Sequence, residues 1–421
     1  MQPLNVRSQS VVAAIVCAIC LALASREANA RIDVHARIDA ALAVDDSPPV
    51  AGSYELYSDL RPQLSLTQVG SREALQLGYT LLGVVHLAGG GIDTWGNRLE
   101  LTAMFEPSPR SALLLTGSLL ETSLAGLTLV TPTATTTPVT APSGTAYFLD
   151  ARAHAEIAGD LSPLWRASLG STFDTLRPLS HDVVSPLTTS YDLDSTLTLE
   201  RTHLHDAGAL RVRGDFIDYP DTPRRTLLVT GLTTRWRHDF DRRLSSELEL
   251  GLLFVNDLAT SGNKRSLIAI EPVGQLALHY VEVGYRVDLE YGRTVQSNAF
   301  LAENFLLDRV ALRGSLPIPD ARLHLVAAAS LAWQRAALID QPGAIDSWLV
   351  DASIFWSPRD DLQVYLRYQW IDQAGDTPSL PSLARNVILL GVIGSFGTDS
   401  RPPLATAPSV RADGSDQPVI R

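Results

Sequence analysis

A two-residue alternation of apolar and polar side chains runs through most of this chain and constrains its fold more than any other feature. In the segment 244–254 (LSSELELGLLF), Leu250 and Phe254 share one face, and Glu247 and Glu249 share the other. A period of two over ten or more residues indicates a β-strand, because successive side chains of a strand point to opposite faces. The same alternation is found in two further long segments, 281–292 and 146–157.

Segments with strand character follow one another along almost the whole chain. We predict eighteen strands, near 31–43, 54–68, 74–87, 97–105, 111–121, 145–157, 164–173, 190–202, 209–217, 226–238, 243–255, 265–280, 282–292, 306–316, 322–335, 346–357, 361–371 and 386–396. Pro62 and Pro272 lie inside two of them and predict a bulge or a strand end there, since proline removes a donor from the ladder. The fold class is therefore all-β.

The composition indicates that this sheet lies in a membrane. Hydrophobic residues make up 45% of the chain and charged residues only 19%, yet no apolar run after residue 30 has the length of a transmembrane helix. Lipid cannot satisfy the open edges of a sheet, so a membrane-embedded sheet must close into a barrel. The sequence predicts a closed antiparallel transmembrane β-barrel of about 18 strands, with a range of 16 to 18.

The connections between predicted strands alternate in length. Short connections, such as 106–110 and 239–243, follow even-numbered strands, and longer ones, such as 174–187 and 293–305, follow odd-numbered strands. Bacterial outer-membrane barrels have short periplasmic turns and longer extracellular loops. This rhythm predicts an outer-membrane barrel with both termini in the periplasm. The Thr/Pro-rich segment 122–144 is either an extracellular loop or a loop folded into the lumen.

The two ends of the chain differ from the middle. Residues 1–30 combine a basic start, an apolar stretch and the sequence Ala28-Asn29-Ala30, which predicts a cleaved secretory signal peptide. Both cysteines, Cys17 and Cys20, lie in this segment. The barrel is predicted to span 31–396, and the Pro/Ser/Asp-rich segment 397–421 is predicted to be a disordered periplasmic tail.

If the apolar face contacts lipid, the polar face lines a lumen that carries charges of both signs. The predicted lumen-lining residues are Arg98, Glu100, Asp150, Arg152, Glu156, Arg211, Arg213, Arg235, Arg237, Glu247, Glu249, Arg286, Asp288, Glu290, Arg309, Arg313, Asp351 and Arg367. Most of these charges are expected to pair across strands and to hydrate the interior. A lumen of mixed sign indicates a conduit for polar, mostly uncharged material.

Aromatic residues on the apolar face predict girdles at the two membrane interfaces. Trp348 and Trp356 lie on the same face of one predicted strand, about 20 Å apart along the membrane normal, which is close to the apolar height of such barrels. The predicted girdle residues are Tyr280, Tyr285, Tyr291, Trp333, Trp348, Trp356, Tyr368 and Trp370.

Motifs for catalysis are scarce in this sequence. There is no G-x-S-x-G motif, and His203, His205 and Asp206 lie close together without a further evident ligand. We therefore predict no enzymatic activity, no catalytic residues, no metal site and no cofactor. The formal net charge of −12 also argues against nucleic acid as a partner.

From 31 to 396 the chain resembles bacterial outer-membrane β-barrels. The segment LRPQLSLTQ (60–68), with Leu60, Leu64 and Leu66 set against Arg61, Gln63, Ser65 and Thr67, is similar to an early strand of such barrels. Within the class, the strand number and the length resemble sugar-passing porins and the barrels that accompany exopolysaccharide secretion.

The resemblance implies a channel in contact with outer-membrane lipid. Our first hypothesis is polysaccharide export, with a periplasmic polysaccharide-export protein as partner and a polysaccharide or small sugar as cargo. The alternatives are a general or sugar-type diffusion porin and a non-transport surface receptor or adhesin.

Overall fold

The computed structural model describes residues 31–46, 54–88, 93–123, 147–179, 189–221, 225–258, 268–282, 284–298, 303–336, 344–375 and 383–397. Within these residues the chain forms eighteen strands of 13 to 16 residues. They are β1 (Arg31–Asp45), β2 (Glu55–Val69), β3 (Glu73–Ala88), β4 (Thr94–Ser108), β5 (Ser111–Ser123), β6 (Tyr147–Asp160), β7 (Trp165–Pro178), β8 (Ser190–His203), β9 (Asp206–Tyr219), β10 (Arg225–Asp239), β11 (Leu244–Asp257), β12 (Ile268–Glu282), β13 (Tyr285–Asn298), β14 (Glu303–Ile318), β15 (Leu323–Ala336), β16 (Ala344–Arg359), β17 (Leu362–Gly375) and β18 (Leu383–Gly397).

The strands form one closed sheet. Each strand pairs antiparallel with its neighbours in the sequence, and β1 also pairs with β18 to complete the circle. The closure runs from His35 opposite Gly397 to Asp45 opposite Val387. This arrangement confirms the predicted all-β, closed antiparallel barrel, because closure leaves no strand at an open edge.

Turns at one end of the barrel are short, and several are built from local side-chain contacts. Even-numbered strands are followed by connections of two to four residues, such as 109–110 and 240–243. In the second of these, the Asp241 carboxylate accepts hydrogen bonds from the backbone N–H groups of Arg243 (2.7 Å) and Leu244 (2.8 Å). These two bonds lower the pKa of Asp241, because they stabilise its charged form. Aspartate is common in turns because its carboxylate can accept such hydrogen bonds from the backbone.

Connections at the other end are longer on average, so the predicted rhythm is confirmed. They range from four residues (299–302) to twenty-three (124–146). The prediction of a long loop over 293–305 is wrong, since β13 continues to Asn298 and β14 begins at Glu303. The polar residues of this segment hid the strands, because backbone pairing continues after the apolar alternation has ended.

Pro62 lies inside β2 and does not end it. It stands opposite Ile38 of β1, in an unbroken register. The ladder with β3 has no pair at Arg61 or Pro62 and resumes at Gln63 in the same register. The predicted bulge or strand end is therefore wrong here, because the missing N–H removes a bond without inserting a residue. Pro272 pairs with Leu252 and lies just beyond Gly274, where the ladder of β12 with β13 ends.

Both ends of the described barrel lie at the end with the short turns, since β1 begins and β18 finishes there. The predicted signal peptide lies outside the described residues, as does nearly all of the predicted tail and of the segment 122–144. No helix among the described residues reaches the length and hydropathy of a membrane-spanning helix.

Candidate channel interior

The outer face of the barrel is apolar and open to the surroundings. On β11, Leu250 is 56% exposed and Leu252 is 47% exposed. The two glutamates that precede them on the other face of the strand, Glu247 and Glu249, have side chains that are only 11% and 15% exposed. The alternation in the sequence thus separates an exposed apolar face from a charged inner face, which is the reverse of a water-soluble protein.

The predicted lumen-lining residues occupy the inner positions of their strands. The clearest marker of the inside is a cavity of about 860 Å³, which is lined by side chains from β6 round to β14. Nine of the predicted residues line it: Arg152, Glu156, Arg211, Arg213, Arg235, Arg237, Glu249, Glu290 and Arg309. The other nine lie on the same side of their strands, in the alternation set by the ladders: Arg98, Glu100, Asp150, Glu247, Arg286, Asp288, Arg313, Asp351 and Arg367.

Charges on the inner face form pairs that reach across the sheet. Arg211 of β9 donates a hydrogen bond to Glu249 of β11 (2.8 Å), and Thr233 of the intervening β10 donates to the same carboxylate (2.7 Å). Arg235 of β10 pairs with Glu247 of β11. Three neighbouring strands are therefore cross-linked by side chains, in an environment where charge pairing is stronger than in bulk water.

Further pairs join side chains of one strand or of two neighbouring strands. They are Arg98–Glu100 (2.8 Å), Arg152–Asp174 (3.3 Å), Arg213–Asp194 (2.8 Å), Arg237–Asp239 (3.1 Å), Arg286–Asp288 (2.7 Å), His279–Asp288 (2.7 Å) and Arg367–Asp351. Positive and negative groups thus occur side by side around the wall, and the interior has no single sign.

The inner wall is not polar throughout, because two apolar clusters lie among the predicted polar residues. Ile217, Leu227, Val229, Leu253 and Val255 are almost completely buried on the inner faces of β9, β10 and β11. A second apolar cluster lies on the far wall: Ala41, Ala43, Tyr57, Val84, Tyr365, Val387, Leu389 and Ile393. Most members of both clusters lie near the end with the long connections. The alternation in the sequence did not indicate these clusters, because their strands are apolar on both faces near the long connections.

All eight predicted girdle residues stand on the outward alternation of their strands, and Tyr291 also lines the cavity, close to where the β12–β13 ladder ends. Trp348 and Trp356 are both about half exposed on β16. Tyr280 and Tyr285 flank the short turn at 283–284, and both hydroxyls donate hydrogen bonds to Glu282 (2.8 and 2.6 Å). Two further tyrosines contact the neighbouring strand: Tyr291 donates to Asp308 (2.9 Å) and Tyr368 to Asn386 (2.8 Å). Trp333 and Trp370 are half-buried.

Several inner residues were missed by the sequence analysis. Asp174, Asp192 and Asp194 line the cavity with the predicted residues. Asp192 and Asp194 alternate with exposed Leu193 in a predicted strand, so their facing could have been read from the sequence. Asp174 was assigned to a connection, because the predicted strand ended at residue 173, whereas β7 continues to Pro178.

His203 and His205 lie at the turn that joins β8 to β9. His203 ends β8 and Asp206 begins β9, directly opposite it. Asp206 instead contacts His238 (2.8 Å) and Trp236 (3.2 Å) on the outer face of β10. Within the described residues, no group of three or more His, Cys, Asp or Glu side chains could hold a metal ion.

No protein-family model matches the chain, and no curated protein sequence matches it. Solved structures do match. OccK2 (OpdF) of Pseudomonas aeruginosa, solved in complex with glucuronate, is 11% identical over 87% of this chain and 98% of its own, with a TM-score of 0.46. The FrpB iron transporter of Neisseria meningitidis is 8% identical over 86% of this chain and 81% of its own, with a TM-score of 0.48. OpdK of Pseudomonas aeruginosa, solved with vanillate, is 10% identical over 86% and 98%, with a TM-score of 0.44.

Proposed function

We propose that this chain is an integral outer-membrane β-barrel that forms a channel for small polar solutes. The observation that carries the proposal is the cavity of about 860 Å³ inside a closed barrel, lined by paired charges of both signs. Such a wall replaces part of the hydration of a polar solute without favouring one sign of charge. The eighteen predicted inner residues line this lumen in the proposal.

The outer surface supports a location in the outer membrane. Exposed leucines and phenylalanines cover the outside, where a water-soluble barrel would carry polar residues. The eight outward aromatic residues then mark the two interfaces with lipid headgroups. The short turns and both ends of the described barrel face the periplasm, and the long connections face the outside of the cell.

The size of the cavity supports a small solute as the cargo. A volume of about 860 Å³ lies in the range of about 300–1,000 Å³ that is usual for sites that hold small molecules. A polymer needs a continuous passage through the whole barrel. Polysaccharide export, with a periplasmic export protein as partner, stays a prediction. It is tested by deleting the gene and assaying surface polysaccharide, and normal export in the deletant would exclude it.

Conductance in a planar lipid bilayer tests the channel proposal. The purified barrel should conduct ions, and the variant Glu249→Gln should shift the ion selectivity towards anions, because one inner negative charge is lost beside Arg211 and Arg235. Asp361→Asn is the matched control, since Asp361 lies in the exposed turn at 360–361 and pairs there with Arg359. Absence of conductance from an assembled barrel would contradict the proposal.

A non-transport role is the remaining hypothesis. If the long connections carried an adhesin or receptor activity, removal of 124–144, which leaves β5 whole, should abolish surface binding while leaving the barrel assembled and its conductance intact.

A further inference from the structure

The wall of the barrel separates at one seam. The ladder between β12 and β13 runs from Glu282 opposite Tyr285 up to Gly274 opposite Arg293, and it ends there. Both strands continue beyond this point. β12 remains paired with β11 up to Ile268, and β13 remains paired with β14 up to Asn298. The upper part of the β13–β14 hairpin, residues 294–298 and 303–307, is therefore not paired with β12.

Side chains show that this part of the hairpin lies inside the barrel. Val295 continues the outward alternation of Val287 and Leu289, which are about 40% exposed, yet Val295 is only 6% exposed. Leu306 likewise continues the outward alternation of Leu312 but is 7% exposed. Both belong to the apolar cluster formed by the inner faces of β9, β10 and β11. The outer face of the hairpin thus packs against the inner face of the wall formed by β9, β10 and β11.

A charged contact supports the same overlap. Arg293 lies on the outward alternation of β13, and Glu271 lies on the inward alternation of β12. Their side chains are nevertheless 3.8 Å apart. Phe305 and Leu307, on the other face of the hairpin, are also buried. The hairpin is therefore covered on both faces, as expected of a segment folded into the interior and not of a strand in the outer wall.

We propose that the upper β13–β14 hairpin is a constriction of the channel, held against the wall by Val295 and Leu306 and released when this apolar contact opens. The proposal rests on the channel function proposed above. Gly292 lies next to Arg293, where the β12–β13 ladder ends. Because glycine has no side chain, the backbone at this position can rotate more freely than at any other residue type. Outward movement of the hairpin would uncover the inner faces of β9 to β11 and widen the passage.

A labelling experiment tests the constriction without relying on conduction. In the full chain with Cys17 and Cys20 replaced by serine, Val229→Cys places a thiol in the cluster beneath the hairpin, where Val229 is 1% exposed. Combining it with Leu306→Ser should raise the rate of labelling by a membrane-impermeant maleimide by about tenfold or more, since about 1.4 kcal/mol shifts a two-state equilibrium tenfold. Leu389→Cys, in the apolar cluster on the far wall, is the matched control and should label equally with and without Leu306→Ser.

Equal labelling of Val229→Cys in both backgrounds would overturn the constriction, as would rapid labelling without Leu306→Ser. If Leu306→Ser prevents assembly, as judged by heat-modifiable mobility in electrophoresis, Val295→Ala is the milder release variant and should give a change of the same direction. In bilayers, Leu306→Ser should enlarge the single-channel conductance. Absence of conductance in every assembled variant would remove the channel proposal, while the labelling result would still decide where the hairpin lies.

Discussion

Two seams of this barrel behave in opposite ways. The seam between β1 and β18 joins strands from the two ends of the chain, and it is paired over eleven described positions, from His35 to Asp45. The seam between β12 and β13 joins strands that are separated by only two residues, yet its ladder stops after nine described positions. Strands that are close in the sequence become neighbours in the sheet, but this closeness does not determine the length of the ladder between them.

Side chains at the far ends of the two seams account for the difference. At the closing seam, Arg385 of β18 pairs with Asp45 of β1 while both are buried, and the Asn386 side chain contacts Asp46. At the separating seam, the corresponding stretch of β12 contains Pro272, which cannot donate to a ladder. It also contains Gly274, which has no side chain to pack across the strands.

The largest expected effect is the loss of the buried pair at the closing seam. Asp45→Ala leaves the Arg385 guanidinium buried without this carboxylate, so the free energy of unfolding should fall by about 3–5 kcal/mol. Urea unfolding of the refolded barrel measures this change. Asp361→Ala is the control, because its pair with Arg359 is largely exposed and should contribute no more than about 1 kcal/mol. Equal effects of the two variants would show that the closing seam is not fixed by this pair.

A smaller effect is expected from adding one methyl group at each seam. In Gly391→Ala, on β18, the new Cβ would clash with the buried ring of Tyr365, so stability should fall by about 1–3 kcal/mol. In Gly292→Ala, on β13, nothing lies within 4 Å of the new Cβ, so stability should stay unchanged or rise by up to about 1 kcal/mol. The urea midpoint should therefore fall in Gly391→Ala and should not fall in Gly292→Ala. A loss of stability in Gly292→Ala would show that the separated seam is more tightly packed than the structure indicates.

The smallest effect should come from a single hydroxyl group. Tyr365 of β17 donates a hydrogen bond to Asp39 of β1 (2.9 Å), which reaches across β18. Tyr365→Phe keeps the ring beside Gly391 and removes only this bond, at a cost of about 1 kcal/mol. Phe355→Leu is a control for the neighbouring ring contact. If Tyr365→Phe were as damaging as Asp45→Ala, the closing seam would depend on this hydroxyl instead of the buried ion pair.

Much of the barrel could be predicted because the alternation of apolar and polar residues within one strand shows which side chains point inward and which point outward. The alternation at 244–254 gave both the strand and the inward position of Glu247 and Glu249. Strand ends were harder, as β13 shows, because pairing of the backbone continues where polar residues no longer alternate with apolar ones. Partners such as Arg211 and Glu249 could not be assigned from the sequence, since their contact passes over a third strand and depends on register.

The sequence by itself determined the strands, their alternating faces and the rhythm of the turns, because each of these is a property of a few neighbouring residues. Only the tertiary structure decided that Arg385 of the last strand meets Asp45 of the first, that apolar clusters line two opposite walls, and that the β13–β14 hairpin leaves β12 and folds inward. These features depend on contacts between strands that are distant in the sequence. Such contacts exist only once the circle has closed and every register is fixed.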